Sequence, residues 1–165
     1  MRIRQKIQKV LLREEDVSAS ASAVAPWYAA GLCFSCNQCG DCCSGAPGYV
    51  WITLGEARQI AAALRLEFSD FTRKYTRRVG RGLSLLEKKG GDCIFLLRRP
   101  DGLTSCEVHA ARPVQCRTWP FWNSNLSSPQ AWELVGRGCP GINQGPHHPL
   151  PVIQASLKSN GDLPL

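Results

Sequence analysis

Five thiols fall within eleven residues in the run Cys33-Phe-Ser-Cys36-Asn-Gln-Cys39-Gly-Asp-Cys42-Cys43, where a CxxC step is repeated three times. Such a step lets two sulfurs converge on one small object, a metal ion or an iron–sulfur cluster, and such a centre takes soft thiolate ligands at about 2.3 Å. Four more cysteines follow at wide spacing, Cys93, Cys106, Cys116 and Cys139, for a total of nine. Thiolate sites usually take four ligands. Eight cysteines therefore divide into two such sites and one is left over.

The competing explanation is a disulfide framework in a secreted protein. The odd count speaks against it, as does a cysteine density below that of small disulfide scaffolds. At the N-terminus the apolar run Val10-Leu11-Leu12 is cut off by Arg13-Glu14-Glu15-Asp16. An export signal needs an apolar core of roughly 7 to 15 residues. No apolar run approaches the ~18 residues needed to span a bilayer. The expectation is a reducing, cytoplasmic setting with no membrane partner.

The formal charge of +7 raises the question of nucleic acid. If eight thiolates hold two divalent ions, the net charge falls to about +3, because metal-binding thiols are deprotonated. Arg98, Arg99, Arg112, Arg117 and Arg137 lie within a few residues of the later cysteines, where a guanidinium lowers thiol pKa and screens an anionic centre. Arg73, Lys74, Arg77, Arg78 and Arg81 sit on or just after a predicted helix and are expected to form its solvated face, so nucleic acid is not an expected partner. His109 is expected on the surface beside a turn, and His147 and His148 in the tail as adventitious metal binders.

At 165 residues the chain suits one domain with a real core. The elements that must position the thiols are short. Ile3, Ile7, Val10 and Leu11 predict an amphipathic helix over 2–15, and Ser18 to Pro26 a flexible linker. The cysteine run itself is expected as a loop. Tyr49 to Thr53 reads as a strand, and Thr53-Leu-Gly-Glu56 has capping-box spacing ahead of a helix burying Leu54, Ala57, Ile60, Ala61 and Leu64. A second helix is predicted over 70–78, with Phe68, Phe71 and Tyr75 turned inward. Ile94 to Arg98 and Leu103 to Val108 flank the turn Arg99-Pro-Asp-Gly102, a hairpin whose register brings Cys93 and Cys106 together. Pro113 is expected to open a short helix carrying Cys116, and Trp132 to Val135 to form a strand delivering Cys139. From Pro140 onward the recurring Gly and Pro predict an irregular tail.

Four separated motifs occur in a familiar order. They are Phe34-Ser-Cys36-Asn-Gln-Cys39-Gly-Asp-Cys42-Cys43, Gly48-Tyr-Val50, Gly91-Asp-Cys93-Ile-Phe-Leu96 and Arg112-Pro-Val-Gln-Cys116-Arg-Thr-Trp-Pro-Phe121. Together they resemble the CxxCxxCC cysteine-cluster family, often called YkgJ-like, over about 27–141. The resemblance implies a zinc- or iron-chelating domain. It also implies that Cys36, Cys39, Cys42, Cys43, Cys93, Cys106, Cys116 and Cys139 are the ligands, with Cys33 the spare.

The expected fold is thus a small, loop-rich α+β domain organised around a cysteine-ligated metal site, with short helices and a β-hairpin. Its expected layout is a helix and linker over 1–26, the cysteine domain over 27–141 and a Pro/Gly-rich tail over 142–165. Its expected partner is a metal ion, zinc or iron, with an iron–sulfur cluster as one form.

Side chains of adjacent residues are expected to diverge, so Cys42 and Cys43 should serve two nearby sites, or one of them should bridge two metals. Two function classes follow. One is a redox or metal-handling module. The other is an iron–sulfur enzyme, an oxidoreductase or a protein-modifying one, since flagellin lysine N-methylases share a similar cysteine motif. The chain carries no radical-SAM CxxxCxxC or P-loop pattern, and a fully thiolate-ligated metal lacks the open position of a catalytic one, which favours the first class.

Overall fold

The structure is a computed structural model that describes residues 25–45 and 47–161. The predicted helix over 2–15 and most of the linker lie outside the described residues. The strand and helix expected after the cysteine run are present as β2 (Val50–Ile52) and α1 (Leu54–Ala63). The capping box closes as its spacing demands. Thr53 Oγ1 accepts from the Glu56 amide at 3.1 Å, and Glu56 Oε2 accepts from the Thr53 amide at 2.8 Å. The other oxygen of Glu56 accepts from the Val114 amide at 2.6 Å and so ties α1 to the segment that carries Cys116.

The next helix, α2 (Phe68–Tyr75), starts and ends earlier than predicted. The chain passes straight into β3 (Thr76–Val79), which turns back into β4 (Gly82–Leu85). These two strands were not foreseen. They form an antiparallel sheet in the order β2-β4-β3, with Ile52 opposite Leu83 and Thr76 opposite Leu85. The first core lies between this sheet and the two helices, around Ile52, Ala57, Ile60, Phe71, Leu85 and Phe95. Tyr75 stacks between Phe71 and Phe95, at ring distances of 5.6 and 5.2 Å.

The basic residues expected on one helix face are divided among partners. Arg73 pairs with Asp70, whereas Arg77 lies on β3, covers the Tyr49 ring and bonds the Gly48 carbonyl and Glu87. The predicted hairpin forms as β5 (Leu96–Arg98) and β6 (Thr104–Cys106), with Leu96 opposite Cys106. Pro113 stands at the N-cap of the short helix α3 (Val114–Arg117), which thus begins one residue later than expected.

Two corrections concern the C-terminal part. Residues 132–135 belong not to a strand but to α4 (Pro129–Gly138). Ser128 caps it by accepting from the Ala131 amide at 3.1 Å, Pro129 occupies the first turn, and the helix buries Trp132. Nor is the stretch after Pro140 irregular. It forms β7 (Ile142–His148) and α5 (Leu150–Asn160). Strand β7 pairs with β1 (Leu32–Phe34), which precedes the cysteine loop, and Cys33 lies opposite His147. Ile142 and Ile153 enter a second core with Phe121, Leu126, Trp132 and Cys139. His147 and His148 are engaged with backbone, their Nε2 atoms 2.7 and 3.0 Å from the carbonyl oxygens of Ala30 and Phe34. The molecule is thus mixed α+β, with small antiparallel sheets and five α-helices among the described residues. Among those residues no helix is long and apolar enough to cross a membrane.

Candidate metal centre

The cysteine run has little regular structure of its own. Its only helical turn is a 3-10 turn over Asp41–Cys43, and the rest is held by neighbours far along the chain. The Gln38 carbonyl accepts from the Thr104 amide at 2.9 Å and from its hydroxyl at 2.8 Å, and the Cys43 carbonyl accepts from the Cys93 amide at 2.7 Å. Two glycines clamp the ends of the run. A Cβ at Gly141 would overlap the Ser35 carbonyl oxygen, and one at Gly91, where φ is +91°, would overlap that of Gly45.

Cys42, Cys43, Cys93, Cys106 and Cys116 line one cavity of about 210 Å³ between the two cores. These thiols come from the 3-10 turn, the segment before β5, the end of β6, and α3. The hairpin register sets Leu96 opposite Cys106, and Cys93 lies ahead of β5, bridged to Glu87, so the two thiols share the cavity without facing each other across the strands. Cys36, Cys39 and Cys139 lie off this cavity. Charge on Asp41 and Cys139 acts on Cys39, and charge on both Cys36 and Cys116 acts on Cys42. Cys42 also lines a shallower cleft with Asp41, Leu134 and Val135. Cys33 is on β1 and lines neither the cavity nor the cleft. Among the described residues no three His, Cys, Asp or Glu side chains converge closely enough to hold an ion as they stand.

The expectation that Cys42 and Cys43 diverge is corrected. Their sulfurs are 3.8 Å apart, because the 3-10 turn swings consecutive side chains by about a third of a circle rather than to opposite faces. Sharing of a proton splits the pair. The bond from Cys42 lowers Cys43 to about 7, helped by the Arg112 charge, while Cys42 is pushed up. Burial raises Cys93 to about 11 and also raises Cys106 and Cys116, whose neighbours include the Cys43 charge. Between about pH 7 and 11, iodoacetamide should therefore alkylate Cys43 of the reduced, metal-free protein well before Cys93. Peptide mass spectrometry reads the order, and earlier labelling of Cys93 would contradict it.

Of the arginines expected as counter-charge, only Arg112 stands among the thiols lining this cavity. Arg98 is bound to Asp92 through two bonds of 2.7 and 3.0 Å, and Arg99 to Asp101 at 2.5 Å. Trp119 and Trp122 wall the cavity, whereas Phe121 stacks on Trp132 in the second core.

Gln115, missed from the sequence, positions the neighbouring Cys116. It is buried, accepts from the Trp51 amide at 2.7 Å and donates to the Tyr49 carbonyl at 3.1 Å, bonding β2 as another strand would. Its place next to Cys116 was the available signal, since a glutamine in an otherwise apolar stretch needs partners when buried.

A soft, polythiolate donor set around one cavity fits a zinc or iron centre. The family model described as "Putative zinc- or iron-chelating domain", CxxCxxCC, matches residues 35–140. The chain belongs to this family. An uncharacterized protein of Methanocaldococcus jannaschii is 31% identical over 94 residues, covering 57% of this chain and 48% of that protein. The chain thus spans about half the length of that relative. No solved structure matches this CxxCxxCC chain significantly.

Proposed function

We propose that the protein is a metal-binding module of the redox or metal-handling kind, holding zinc or iron through its eight family cysteines in two sets of four. The inner set is Cys43, Cys93, Cys106 and Cys116, and the outer set is Cys36, Cys39, Cys42 and Cys139. One observation carries this reading, the convergence of cysteines from four separate stretches of chain on one cavity beside an arginine. Four thiolates in a small space repel one another, and a cation is what such an arrangement accommodates. In the electrostatic neighbourhoods Cys116 feels Cys43, Cys93 and Cys106, Cys39 feels Cys139, and Cys42, which feels both Cys36 and Cys116, stands where the two sets meet.

Elemental analysis of protein purified without oxygen tests the proposal together with the visible spectrum. Iron with acid-labile sulfide and a broad band near ~400 nm would make this an iron–sulfur redox module. Zinc at about two per chain without colour would make it a structural or metal-handling one. Protein containing neither metal, and unable to take up either, would overturn the proposal.

A further inference from the structure

Two N–H groups in the cavity wall have no partner. Arg112 Nε and Trp119 Nε1 are buried without a hydrogen bond, and both residues line the thiol cavity. Buried donors are nearly always satisfied, so an orphaned pair on one cavity calls for an acceptor inside it. Three other polar side chains of the wall are already engaged. Gln115 serves β2, Glu87 accepts from Gly48 and Arg77, and the Ser44 hydroxyl donates to the Gly40 carbonyl. Five thiols line the same cavity.

We infer that Arg112 and Trp119 are positioning residues that donate N–H···S hydrogen bonds to the sulfurs of the loaded inner centre. The inference rests on the proposed metal-binding function and names what governs that site. Arg112 supplies a charge as well, which acts on Cys43, Cys106 and Cys116 together. Donors of this kind draw electron density off thiolate sulfur. They relieve the repulsion among four anions and tune the electronic properties of the metal they hold.

The test loads reduced protein with cobalt(II), whose thiolate charge-transfer band reports on sulfur directly, and follows metal release to excess chelator. Trp119→Phe deletes one N–H and keeps an aromatic wall, while Arg112→Lys keeps the charge and deletes the Nε donor. Each variant is expected to shift the band to longer wavelength and to release metal several-fold faster than wild type. A merely structural role would change the melting of metal-free protein and leave the band unmoved. An unmoved band and unchanged release in both variants overturn the inference while leaving the metal centre intact, and wild-type behaviour of Arg112→Lys alone assigns that residue to charge and overturns its N–H···S bond. A wild-type protein that takes no cobalt, zinc or iron overturns the underlying reading as well. The two donors lie on different turns of chain, so either variant carries the test if the other fails to fold.

Discussion

Substituting Cys116→Ser is expected to remove the inner centre and leave the outer one, and Cys39→Ser the reverse, so each variant should retain about half the metal of wild type. The reason is the proposed division at the 3-10 turn, which sends Cys43 toward Cys93, Cys106 and Cys116 and leaves Cys42 with Cys36, Cys39 and Cys139. Each loss should also be the most damaging kind of substitution available to this chain. Metal binding is folding free energy in small thiolate domains, on the order of 10 kcal/mol for a structural zinc, against about 2 to 5 kcal/mol for truncating a core side chain. Cys33→Ser is the control. Cys33 pairs across β1 and β7 and should leave metal content intact. Metal per chain by mass spectrometry and the urea midpoint measure the outcome. Complete loss of metal in either single variant would mean one shared centre, and undiminished metal in Cys116→Ser would take that residue out of the ligand set.

Gln115→Leu should cost about 2 kcal/mol, although it trades a polar side chain for an apolar one of similar volume. Two backbone groups of β2, the Trp51 amide and the Tyr49 carbonyl, lose their partner, and each partly buried group left unpaired costs about 1 kcal/mol or more. The substitution also frees the segment that carries Cys116, so metal release should quicken. Urea denaturation of metal-free and metal-loaded protein separates the two effects. Stability within about 0.5 kcal/mol of wild type, the usual range for a surface change, would show that β2 does not depend on this side chain.

Local chemistry was legible in the sequence. The capping box of Thr53 and Glu56 needs only four consecutive residues, and the hairpin around Pro100 and Gly102 only its turn. Helix α4 was hidden because Trp132 to Val135 carry aromatic and branched side chains that suit a strand, while the Ser128-Pro129 start signal stands a turn earlier. Prolines at this density suggest breakers, yet Pro149 and Pro151 stand at the cap and in the first turn of α5, where a missing amide costs nothing. The pairing of β1 with β7 joins residues more than a hundred positions apart, as the contact of His147 with Ala30 does, and no local pattern encodes it. For the site, the resemblance named the cysteines, but which of them share a cavity is a matter of tertiary structure. Arg112 was legible as a counter-charge beside Cys116, but the bonds of Gln115 to β2 and the unpartnered N–H groups of Arg112 and Trp119 arise only once the segments meet.

The clamps at Gly91 and Gly141 bear on how the protein is made. The ribosome delivers the run from Cys36 to Cys43 early, but the backbone surfaces that fix its two ends arrive with Gly91 and, last of all, Gly141. Until that late stretch has emerged, the nascent chain presents a loose string of reactive thiols. The run that the two clamps hold is therefore fixed at both ends only after the stretch with Gly141 has been made.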